Sequence, residues 1–370
     1  MPEKPTKLAI IGSRGIPGRY GGFETFAEKI AMELSKSNIE TVVYCMSHLK
    51  NEPFNHRGIK RVFIPTLKIP SLEKLLLSSL SLLHATFMEK VDIIIGISTT
   101  GGALLWLPRL FNKKIILSFD GIEWARSRWN KILSYGLKTL EFFSVKFADV
   151  IIADSKAIGE YITSEYQKES VYIPYGSENC SFTEKNWTEL KEEFNLSQKT
   201  YYLAVGRFVP ENNFSMIING LLNSDTDKKL VVVSDTIPPE TMEHSADKRV
   251  IFTGPIYDRE KLFALRKYAF AHIHGHSVGG TNPSLLEAIA SENLILCYDV
   301  PYNREVVESY GYYFKNEEEL KDLINLLEKN PADGISVKRA EFYKKILKEK
   351  YNWSIISERY LKIINRLTGS

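Results

Sequence analysis

The chain has 370 residues, of which 44% are hydrophobic and 25% are charged, and its formal net charge is +3. At about 100–200 residues per domain, this length predicts two domains, and the composition is typical of a globular protein. The small net charge argues against nucleic acid as a partner.

Short apolar runs alternate with helical patterns in the first half, which is typical of a buried parallel sheet. A glycine-rich segment, Gly12–Gly22, separates the first strand from the first helix. The predicted elements are, in chain order, strand Leu8–Ile11, helix Phe23–Leu34, strands Thr41–Cys45 and Val62–Ile64, helix Leu72–Met88, strands Val91–Ile95 and Lys114–Phe119, helix Ile132–Phe147 and strand Val150–Ala153.

The pattern restarts after a polar stretch, Ser177–Lys199, for which no element is predicted. A charged helix is predicted over Lys338–Leu367. The elements between them are strand Tyr201–Val205, helix Phe214–Leu222, strands Leu230–Val233 and Val250–Phe252, helix Arg259–Lys267, strand Ala271–His274, helix Pro283–Ala290 and strand Leu294–Tyr298.

Two successive α/β units predict two Rossmann-like, doubly wound domains. We place the first domain at residues 1–175 and the second at 176–352, with a C-terminal helix at about 353–370 packing back on the first domain. Since ligands of such sheets bind at the carboxyl ends of the strands, we expect the domains to face each other across a cleft.

The cysteines predict a reducing compartment. The three cysteines, Cys45, Cys180 and Cys297, have no metal-ligand spacing, and their odd number gives no disulfide framework. Cys45 and Cys297 lie in apolar runs and are expected in the core.

Residues 1–7 lack the apolar core of a signal peptide, and the apolar stretch Leu75–Met88 is shorter than a membrane span of about 20 residues. We therefore expect a cytoplasmic protein.

The glycine-rich segment is the first candidate for ligand binding. Glycines allow a ligand to approach the backbone, and a helix N-terminus attracts negative charge. A nicotinamide-binding fold is the rival interpretation. However, the G-x-G-x-x-G spacing is absent, and the second strand ends at Tyr44–Ser47 without the acidic residue that would hold a ribose.

Two further segments predict a diphosphate site in the second domain. In Gly279–Glu287, Asn282 suits a helix N-cap and Pro283 the first helical position, so free N–H groups would lie just beyond a strand. Glu287 lies about one turn into that helix and is expected to accept hydrogen bonds from ribose hydroxyls. In the other segment Arg207 directly follows a strand, and arginine binds phosphate oxygens in pairs. The alternatives are a plain capped helix and a surface arginine in a salt bridge.

Asp120 is the candidate for handling the acceptor's proton. It ends the strand Lys114–Phe119, and Glu123 follows one helical turn later. A carboxylate at this position would take or orient the proton of an acceptor hydroxyl. The alternative is that Asp120 caps the following helix. The D-x-D triplet Asp225–Asp227 is predicted to be a solvated turn rather than a metal site.

Together these segments resemble the retaining GT-B glycosyltransferases, whose second domain carries a Gly-Arg loop and a Glu-x7-Glu signature. The strings "IGSRGIPGRYGGFE", "DGIEWARSRW", "HSVGGTNPSLLEA" and "DVPYNREV" are similar to the rhamnosyltransferase branch of that group, which makes bacterial surface polysaccharides. The resemblance covers Leu8 to about Glu308. It implies front-side attack, in which the departing diphosphate helps remove the acceptor's proton.

The chain departs from the family pattern at two positions. Gly279 replaces the first glutamate of Glu-x7-Glu, and Asn212 replaces the lysine expected after the Gly-Arg pair. Neutralisation of the diphosphate then depends on Arg207 and on the helix beginning at Pro283. Both departures are similar to those of the rhamnosyl branch. They therefore narrow the range of sugars expected on the donor.

The resulting prediction is a cytoplasmic glycosyltransferase without a metal or resident cofactor, with dTDP-rhamnose as the expected co-substrate and a lipid-diphosphate-linked or soluble saccharide as acceptor. Alternatives are the same fold with a UDP- or GDP-linked hexose donor, and a non-catalytic sugar-nucleotide-binding protein. Asp120 and Arg207 are the expected catalytic residues. The donor-binding residues are expected to be Gly21, Gly22, Arg207, Asn212, Gly280, Thr281, Asn282, Pro283, Ser284 and Glu287, and the acceptor-side residues Arg14, Glu24, Glu123 and Arg126.

A peripheral association with the inner face of an anionic membrane is also expected. Residues 1–175 hold 23 Lys+Arg against 17 Asp+Glu. Leucines between Leu75 and Leu83 follow Lys68 and Lys74, and Trp124, Arg126, Arg128, Trp129 and Lys131 lie beside Asp120. Aromatic and cationic side chains together suit a lipid headgroup layer. The alternative is that the leucines are core and the basic residues are solvated.

Overall fold

The computed structural model describes residues 5–18, 21–49, 55–66, 70–126, 129–177, 181–238, 241, 247–330 and 336–369. The chain divides into two compact units, Met1–Gly176 with Asn352–Ser370, and Ser177–Tyr351. Each unit contains its own sheet, of eight strands in the first and six in the second. The predicted fold class of two doubly wound α/β domains is confirmed, because neither sheet includes a strand of the other.

The first unit has the strand order β3-β4-β2-β1-β5-β6-β7-β8. Its strands are β1 Thr6–Ile11, β2 Ile39–Met46, β3 Asn55–His56, β4 Ile59–Ile64, β5 Ile93–Gly96, β6 Lys114–Phe119, β7 Val150–Ala153 and β8 Val171–Tyr172. Its helices are α1 Gly22–Leu34, α2 Pro70–Phe87, α3 Trp106–Leu110, α4 Lys131–Phe147, α5 Lys156–Tyr166 and, from the end of the chain, α13 Trp353–Thr368.

All pairings in this sheet are parallel except that of β3 with β4. The central strands are buried on both faces, which explains why they appear in the sequence as continuous apolar runs. The sequence analysis did not predict the two-residue strand β3 or the helices α3 and α5. These elements are short or carry many polar residues, so their apolar periodicity is weak.

The second unit has the strand order β11-β10-β9-β12-β13-β14, and all its pairings are parallel. Its strands are β9 Tyr201–Val205, β10 Lys229–Val233, β11 Val250–Phe252, β12 Ala271–His274, β13 Leu294–Tyr298 and β14 Tyr312–Phe314. Its helices are α6 Glu184–Glu193, α7 Phe214–Leu222, α8 Arg259–Tyr268, α9 Pro283–Ala290, α10 Pro301–Val307, α11 Glu317–Lys329 and α12 Ser336–Glu349.

Two predictions for polar segments are wrong. The stretch predicted to lack elements contains α6, which buries Trp187 and Leu190 and begins with a capping box between Thr183 and Asn186. The single C-terminal helix is two helices, α12 and α13. Asn352 begins the second one by accepting a hydrogen bond from Ser354 N, so the polar residues between the two helices interrupt the pattern.

Helix α13 packs within the first unit. The ring of Phe26 on α1 lies 5.6 Å from Tyr360 and 6.2 Å from Trp353, centroid to centroid. Trp353 also explains the glycine at 176, because a Cβ at Gly176 would lie 2.6 Å from the indole. Aromatic packing of this kind contributes beyond the burial of area alone.

Both sheets have a point where the strand order reverses, and ligands of doubly wound sheets bind there. In the first unit it lies between β1 and β5, and a Cβ on Gly12 would come within 3.1 Å of Ser98, which shows how closely the two following loops approach. In the second unit it lies between β9 and β12. The loops after those two strands are the segments that the sequence analysis singled out for the donor.

The leucine-rich helix α2 belongs mainly to the core. Leu77 and Leu82 are buried with β1, β2 and β5 in one cluster, and Leu80 is exposed among the leucines whose burial is described. The buried leucines fit the alternative that they belong to the core, and contact of this helix with lipid stays a prediction. Lys68, Arg128 and Cys180 lie outside the described residues. In the described part of the chain, no helix is both long and apolar enough to cross a membrane.

Candidate functional site

The loop after β9 is folded tightly around its own backbone. The Asn212 side chain donates a hydrogen bond to the Arg207 carbonyl over 2.7 Å, and Val209 N donates to the same carbonyl over 2.8 Å. A Cβ on Gly206 would lie 3.0 Å from the Asn212 amide nitrogen, so glycine permits this closure. The Arg207 side chain is exposed at the tip of the loop.

A second loop, after β12, is joined to the first through His276. Its Nδ1 lies 2.7 Å from Asn212 Oδ1, and the Asn213 side chain donates to the Gly275 carbonyl over 2.7 Å. Asn303 on α10 donates to the His276 carbonyl over 3.0 Å, and the Tyr302 hydroxyl donates to the Ser277 carbonyl. The string "DVPYNREV" therefore supplies side chains that hold this loop.

Helix α9 begins at the residue that the sequence predicts, but the expectation of free N–H groups is wrong for its first turn, because Ser284, Leu285 and Leu286 donate theirs to Asn282. Asn282 is the N-cap, its side chain accepts a hydrogen bond from Ser284 N over 2.9 Å, and Pro283 is the first helical residue. Gly280 and Thr281, directly before the cap, are buried. The Ser284 hydroxyl also donates to the carbonyl of Val205 over 3.4 Å, which ties the start of the helix to the end of β9.

Glu287, one turn further along, is 44% exposed and forms an ion pair of 2.7 Å with Arg266, whose side chain is only 3% exposed. The sequence analysis did not predict the contact between Arg266 and Glu287. Arg266 lies on α8, far from Glu287 in sequence, and a single arginine in an amphipathic helix carries no signal of its own.

The glycine-rich loop of the first unit is held from beneath by charged side chains. Glu24 Oε1 accepts a hydrogen bond from Arg14 N over 2.9 Å, and Glu28 Oε2 accepts one from Gly18 N over 3.0 Å. The buried Arg61 donates to the Ile16 carbonyl over 2.7 Å. Thus these loop N–H groups bond to protein carboxylates. A diphosphate here would meet two neighbouring negative charges, which weakens the case for Gly21 and Gly22 as its ligands.

The pKa of Glu28 reflects its hydrogen bond to the glycine-rich loop. Burial would raise the pKa of its carboxyl, but hydrogen bonds from Gly18 and His56 outweigh burial and lower the pKa. The His56 Nε2 atom lies 2.8 Å from Glu28 Oε1. Glu24 is also buried, whereas the Arg14 side chain is exposed, so of these two acceptor-side candidates Arg14 is the one accessible to a ligand.

Asp120 lies at the carboxyl end of β6, as predicted, and its Oδ2 accepts a hydrogen bond from the Tyr175 hydroxyl over 2.9 Å. Burial raises the pKa of Asp120 to about 7, against the lowering effects of Tyr175 and Arg126. The helix-cap alternative is wrong, because the short 3-10 helix Glu123–Ala125 begins after Ile122 and has no side-chain cap. A carboxyl with a pKa near neutrality is suited to proton transfer.

The next segment places Glu123 and Arg126 together. Arg126 Nε lies 2.8 Å from Glu123 Oε2, and Trp129 Nε1 donates to Glu123 Oε1 over 3.3 Å. Trp124 is half-buried, and its Nε1 donates to Glu141 over 3.2 Å and to Tyr161 over 3.0 Å. Trp124 therefore anchors the segment to α4 and α5.

The structure thus places two sets of contacts around the β9–β12 reversal point: Asn212 bonds to the Arg207 carbonyl, and Ser284 and Glu287 both contact Arg266. Asp225–Asp227 lies in a turn between α7 and β10, where Thr226 donates to Glu328 over 2.7 Å. Among the described residues, no group of three His, Cys, Asp or Glu side chains is arranged to hold a metal ion.

Comparison with known proteins gives each half of the chain a match. Residues 6–178 match a domain of unknown function, DUF1972, and residues 186–350 match the glycosyl transferases group 1 family. An uncharacterized glycosyltransferase of Methanocaldococcus jannaschii is 26% identical over 98% of this chain and 99% of its own length. These matches support the assignment of this chain as a glycosyltransferase.

Solved structures match over the whole chain. Sucrose-phosphate synthase from Thermosynechococcus elongatus aligns with a TM-score of 0.81 at 15% identity, covering 98% of this chain and 99% of that one. Anabaena Alr3699/HepE in complex with UDP and glucose aligns with a TM-score of 0.76 at 15% identity, covering 98% and 100%. The chain has the GT-B fold, as predicted.

Proposed function

We propose that this protein is a retaining, metal-independent glycosyltransferase that transfers L-rhamnose from dTDP-rhamnose to a saccharide acceptor in cell-surface polysaccharide synthesis. One observation supports the donor assignment: the loop that Asn212 closes on the Arg207 carbonyl, and the start of α9 that Ser284 ties to β9, both lie at the strand-order reversal of the unit that matches the group 1 family. The assignment as a glycosyltransferase with a nucleotide-sugar donor is also supported by the relatives described above.

The donor's diphosphate would bind at the N-terminus of α9. The N–H groups of Ser284, Leu285 and Leu286 already bond to Asn282, so the attraction for negative charge there comes from the helix dipole. Arg207 would add a bidentate contact to phosphate oxygens. Neutralisation of the leaving diphosphate by these groups would replace the role that a metal plays in other transferases.

In the first unit, Asp120 would orient the acceptor hydroxyl and receive a hydrogen bond from it, while the departing diphosphate takes the proton. Its pKa of about 7 means that the carboxylate is available near neutral pH without being strongly solvated. The neighbouring Glu123–Arg126 pair would contact the acceptor's saccharide. Glu24 would act indirectly, through the loop that presents Arg14.

A second candidate keeps the fold and changes the donor to a UDP- or GDP-linked hexose. It is favoured by the solved structure of Alr3699/HepE with UDP-glucose, which aligns with a TM-score of 0.75 at 12% identity. A third candidate, a non-catalytic sugar-nucleotide-binding protein, retains the binding network but predicts no turnover.

A screen of sugar nucleotides tests these candidates together. Binding is measured by calorimetry and hydrolysis by release of the nucleoside diphosphate, for dTDP-rhamnose, UDP-glucose, UDP-N-acetylglucosamine and GDP-mannose, with and without chelator. We expect dTDP-rhamnose to bind most tightly and to be hydrolysed slowly in the presence of chelator. Preference for a UDP- or GDP-sugar selects the second candidate, and tight binding without hydrolysis or transfer selects the third.

The acceptor is proposed to be a lipid-diphosphate-linked saccharide, with the protein attached reversibly to the inner face of an anionic membrane. The exposed face of α4, rather than α2, supports this proposal. Ile132 is 84% and Tyr135 77% exposed, and Phe142 follows at helical spacing. The same helix carries Lys131, Lys138 and Lys146, and each basic residue near an anionic bilayer adds about 1 kcal/mol of attraction.

A further inference from the structure

A cavity of about 450 Å³ lies in the first unit, between the second half of α4 and the end of α5. Its volume is within the range of about 300–1,000 Å³ that is typical of small-molecule sites. Its lining residues belong to α4, to the last turn of α5 and to the two residues that follow α5. None of them is among the residues assigned above to the donor or to the acceptor's proton.

Part of the lining is apolar and aromatic. Val145 is buried, Phe142 is 48% exposed, and the ring centroids of Phe142 and Tyr166 lie 6.5 Å apart. The Tyr166 hydroxyl donates to the buried Glu141 over 2.6 Å, which fixes the orientation of the ring. The cavity therefore offers an ordered apolar surface to a ligand.

The lining also carries a net positive charge. It includes three lysines and one glutamate, and this glutamate, Glu165, pairs with Lys138 over 2.6 Å. Among the described residues, no carboxylate lies at ion-pair distance from the other two lysines, Lys146 and Lys168. The Lys146 ammonium group lies 5.9 Å from the centroid of Phe142, so charge and aromatic surface are neighbours. This combination is suited to an anion that carries an apolar chain.

The cavity adjoins the exposed apolar face of α4. Phe142 belongs to both, and Tyr135, which is 77% exposed, lies two turns earlier on the same helix. The proposed membrane attachment would bring lipid to this face. A lipid supplies an anionic head and an apolar chain in one molecule, so it complements both parts of the lining, whereas inorganic phosphate would complement only the lysines.

We propose that this cavity binds the head of a single anionic lipid molecule, with its phosphate on Lys146 and Lys168 and the first part of its chain against Phe142 and Tyr166. The inference rests on the proposed membrane attachment and makes it specific. The protein would recognise one lipid molecule in a defined site, in addition to the diffuse attraction between basic residues and an anionic surface.

Three probes, each used as a monomer in solution, separate the two parts of this site. Decyl phosphate has the anionic head and the chain, a neutral decyl glycoside keeps only the chain, and inorganic phosphate keeps only the head. Calorimetry of the wild-type protein should show one decyl phosphate per chain. It should bind at least about 10-fold more tightly than either other probe, because it alone gains both charge-assisted hydrogen bonds and burial of apolar surface.

The lysines are tested by the double variant Lys146→Met/Lys168→Met, because methionine keeps an apolar side chain and removes the charge. Decyl phosphate should bind at least about 10-fold more weakly, and the decyl glycoside should change by less than about 2-fold. Lys131→Met is the matched control. Lys131 is exposed on the same helix, fifteen residues before Lys146 and therefore about 22 Å away, so its replacement should leave both affinities unchanged. Melting temperatures show whether each variant folds.

Co-flotation with anionic vesicles distinguishes this inference from the proposed attachment. If the wild-type protein binds such vesicles but not monomeric decyl phosphate, the attachment stands and the cavity is not a lipid site. Equal affinity for decyl phosphate and either other probe also overturns the inference, as does full affinity in the double lysine variant. A protein that binds neither vesicles nor decyl phosphate overturns both proposals. The comparison of the three probes needs no variant, so it remains decisive even if the double variant does not fold.

Discussion

The hydroxyl of Tyr175 donates a hydrogen bond to Oδ2 of Asp120 over 2.9 Å, at the carboxyl end of the first unit's sheet. The two residues are joined across the strand ends rather than along the sequence. Burial raises the pKa of Asp120 to about 7, and the hydrogen bond from Tyr175 opposes that rise. The surroundings of Asp120 therefore give its carboxyl group a pKa in the neutral range, where the enzyme would work.

Asp120→Asn is expected to keep the shape of the site and lower the rate of transfer by about 10-fold or more, because an amide oxygen is a weaker hydrogen-bond acceptor for the hydroxyl than a carboxylate. In the wild-type protein, kcat/KM should fall as pH decreases through about 7, because the carboxylate becomes protonated. The measurement is a pH–rate profile of both proteins. If the variant transfers sugar at a near-normal rate, Asp120 has no role in the reaction.

The stability of the same variant should change in the opposite direction. The pKa of Asp120 is raised in the folded protein above its ordinary value of 3.8. The stabilisation that comes from the protonated form is present below that ordinary value and is lost as pH rises through about 7. Asp120→Asn should therefore melt higher than the wild-type protein at alkaline pH and show a smaller advantage in acid. Tyr175→Phe, which removes the opposing hydrogen bond, should move the acidic limb of the rate profile to higher pH.

Arg207→Ala is expected to weaken donor binding or turnover by about 2–5 kcal/mol, the range seen when a desolvated charge loses its partner. Arg207→Lys should recover part of the loss, since lysine restores the charge but not the paired geometry. Lys261→Ala is the control, because Lys261 forms a surface ion pair of 2.6 Å with Glu189 in the same unit. Unchanged kinetics at limiting donor concentration in Arg207→Ala would exclude its proposed role.

The two asparagine caps of the second unit separate stability from donor binding. Asn282 caps α9 and Asn316 caps α11, where its side chain accepts from Glu319 N over 2.9 Å. Replacement of either by alanine should lower the free energy of unfolding by about 1 kcal/mol. Of the two variants, Asn282→Ala should also weaken nucleoside diphosphate binding, because α9, unlike α11, presents its N-terminus at the proposed site. Equal affinities in both variants would contradict that placement.

Membrane attachment is tested on the exposed face of α4. Replacing Ile132 and Phe142 by serine should reduce binding to vesicles that contain anionic lipids, as measured by co-flotation at low salt. The control replaces Leu326, an exposed leucine on α11 of the other unit, by serine. Added salt should release the wild-type protein, because part of the attraction is electrostatic. A wild-type protein that ignores such vesicles contradicts the proposal.

The sequence alone determined the fold class and most of its elements. Strands β6, β7, β9, β11, β12 and β13 and helices α7 and α9 begin and end at the predicted residues. Buried parallel strands have a continuous apolar pattern. The start of α9 is predicted by two adjacent residues, Asn282 at the N-cap and Pro283 at the first helical position. Such signals are local, so a single chain is enough to recognise them.

Only the tertiary structure decided which side chains support the candidate site. Arg266 pairs with Glu287, and Tyr175 bonds to Asp120. In each pair the residues lie so far apart in the sequence that helix or strand periodicity does not predict the contact. The exposed face of α4 is a similar case. Its apolar residues Ile132 and Tyr135 are exposed, while Glu141 is fully buried and accepts hydrogen bonds from Tyr161 and Tyr166. The periodicity of a helix shows that its faces differ, but what packs against each face is determined by the rest of the fold.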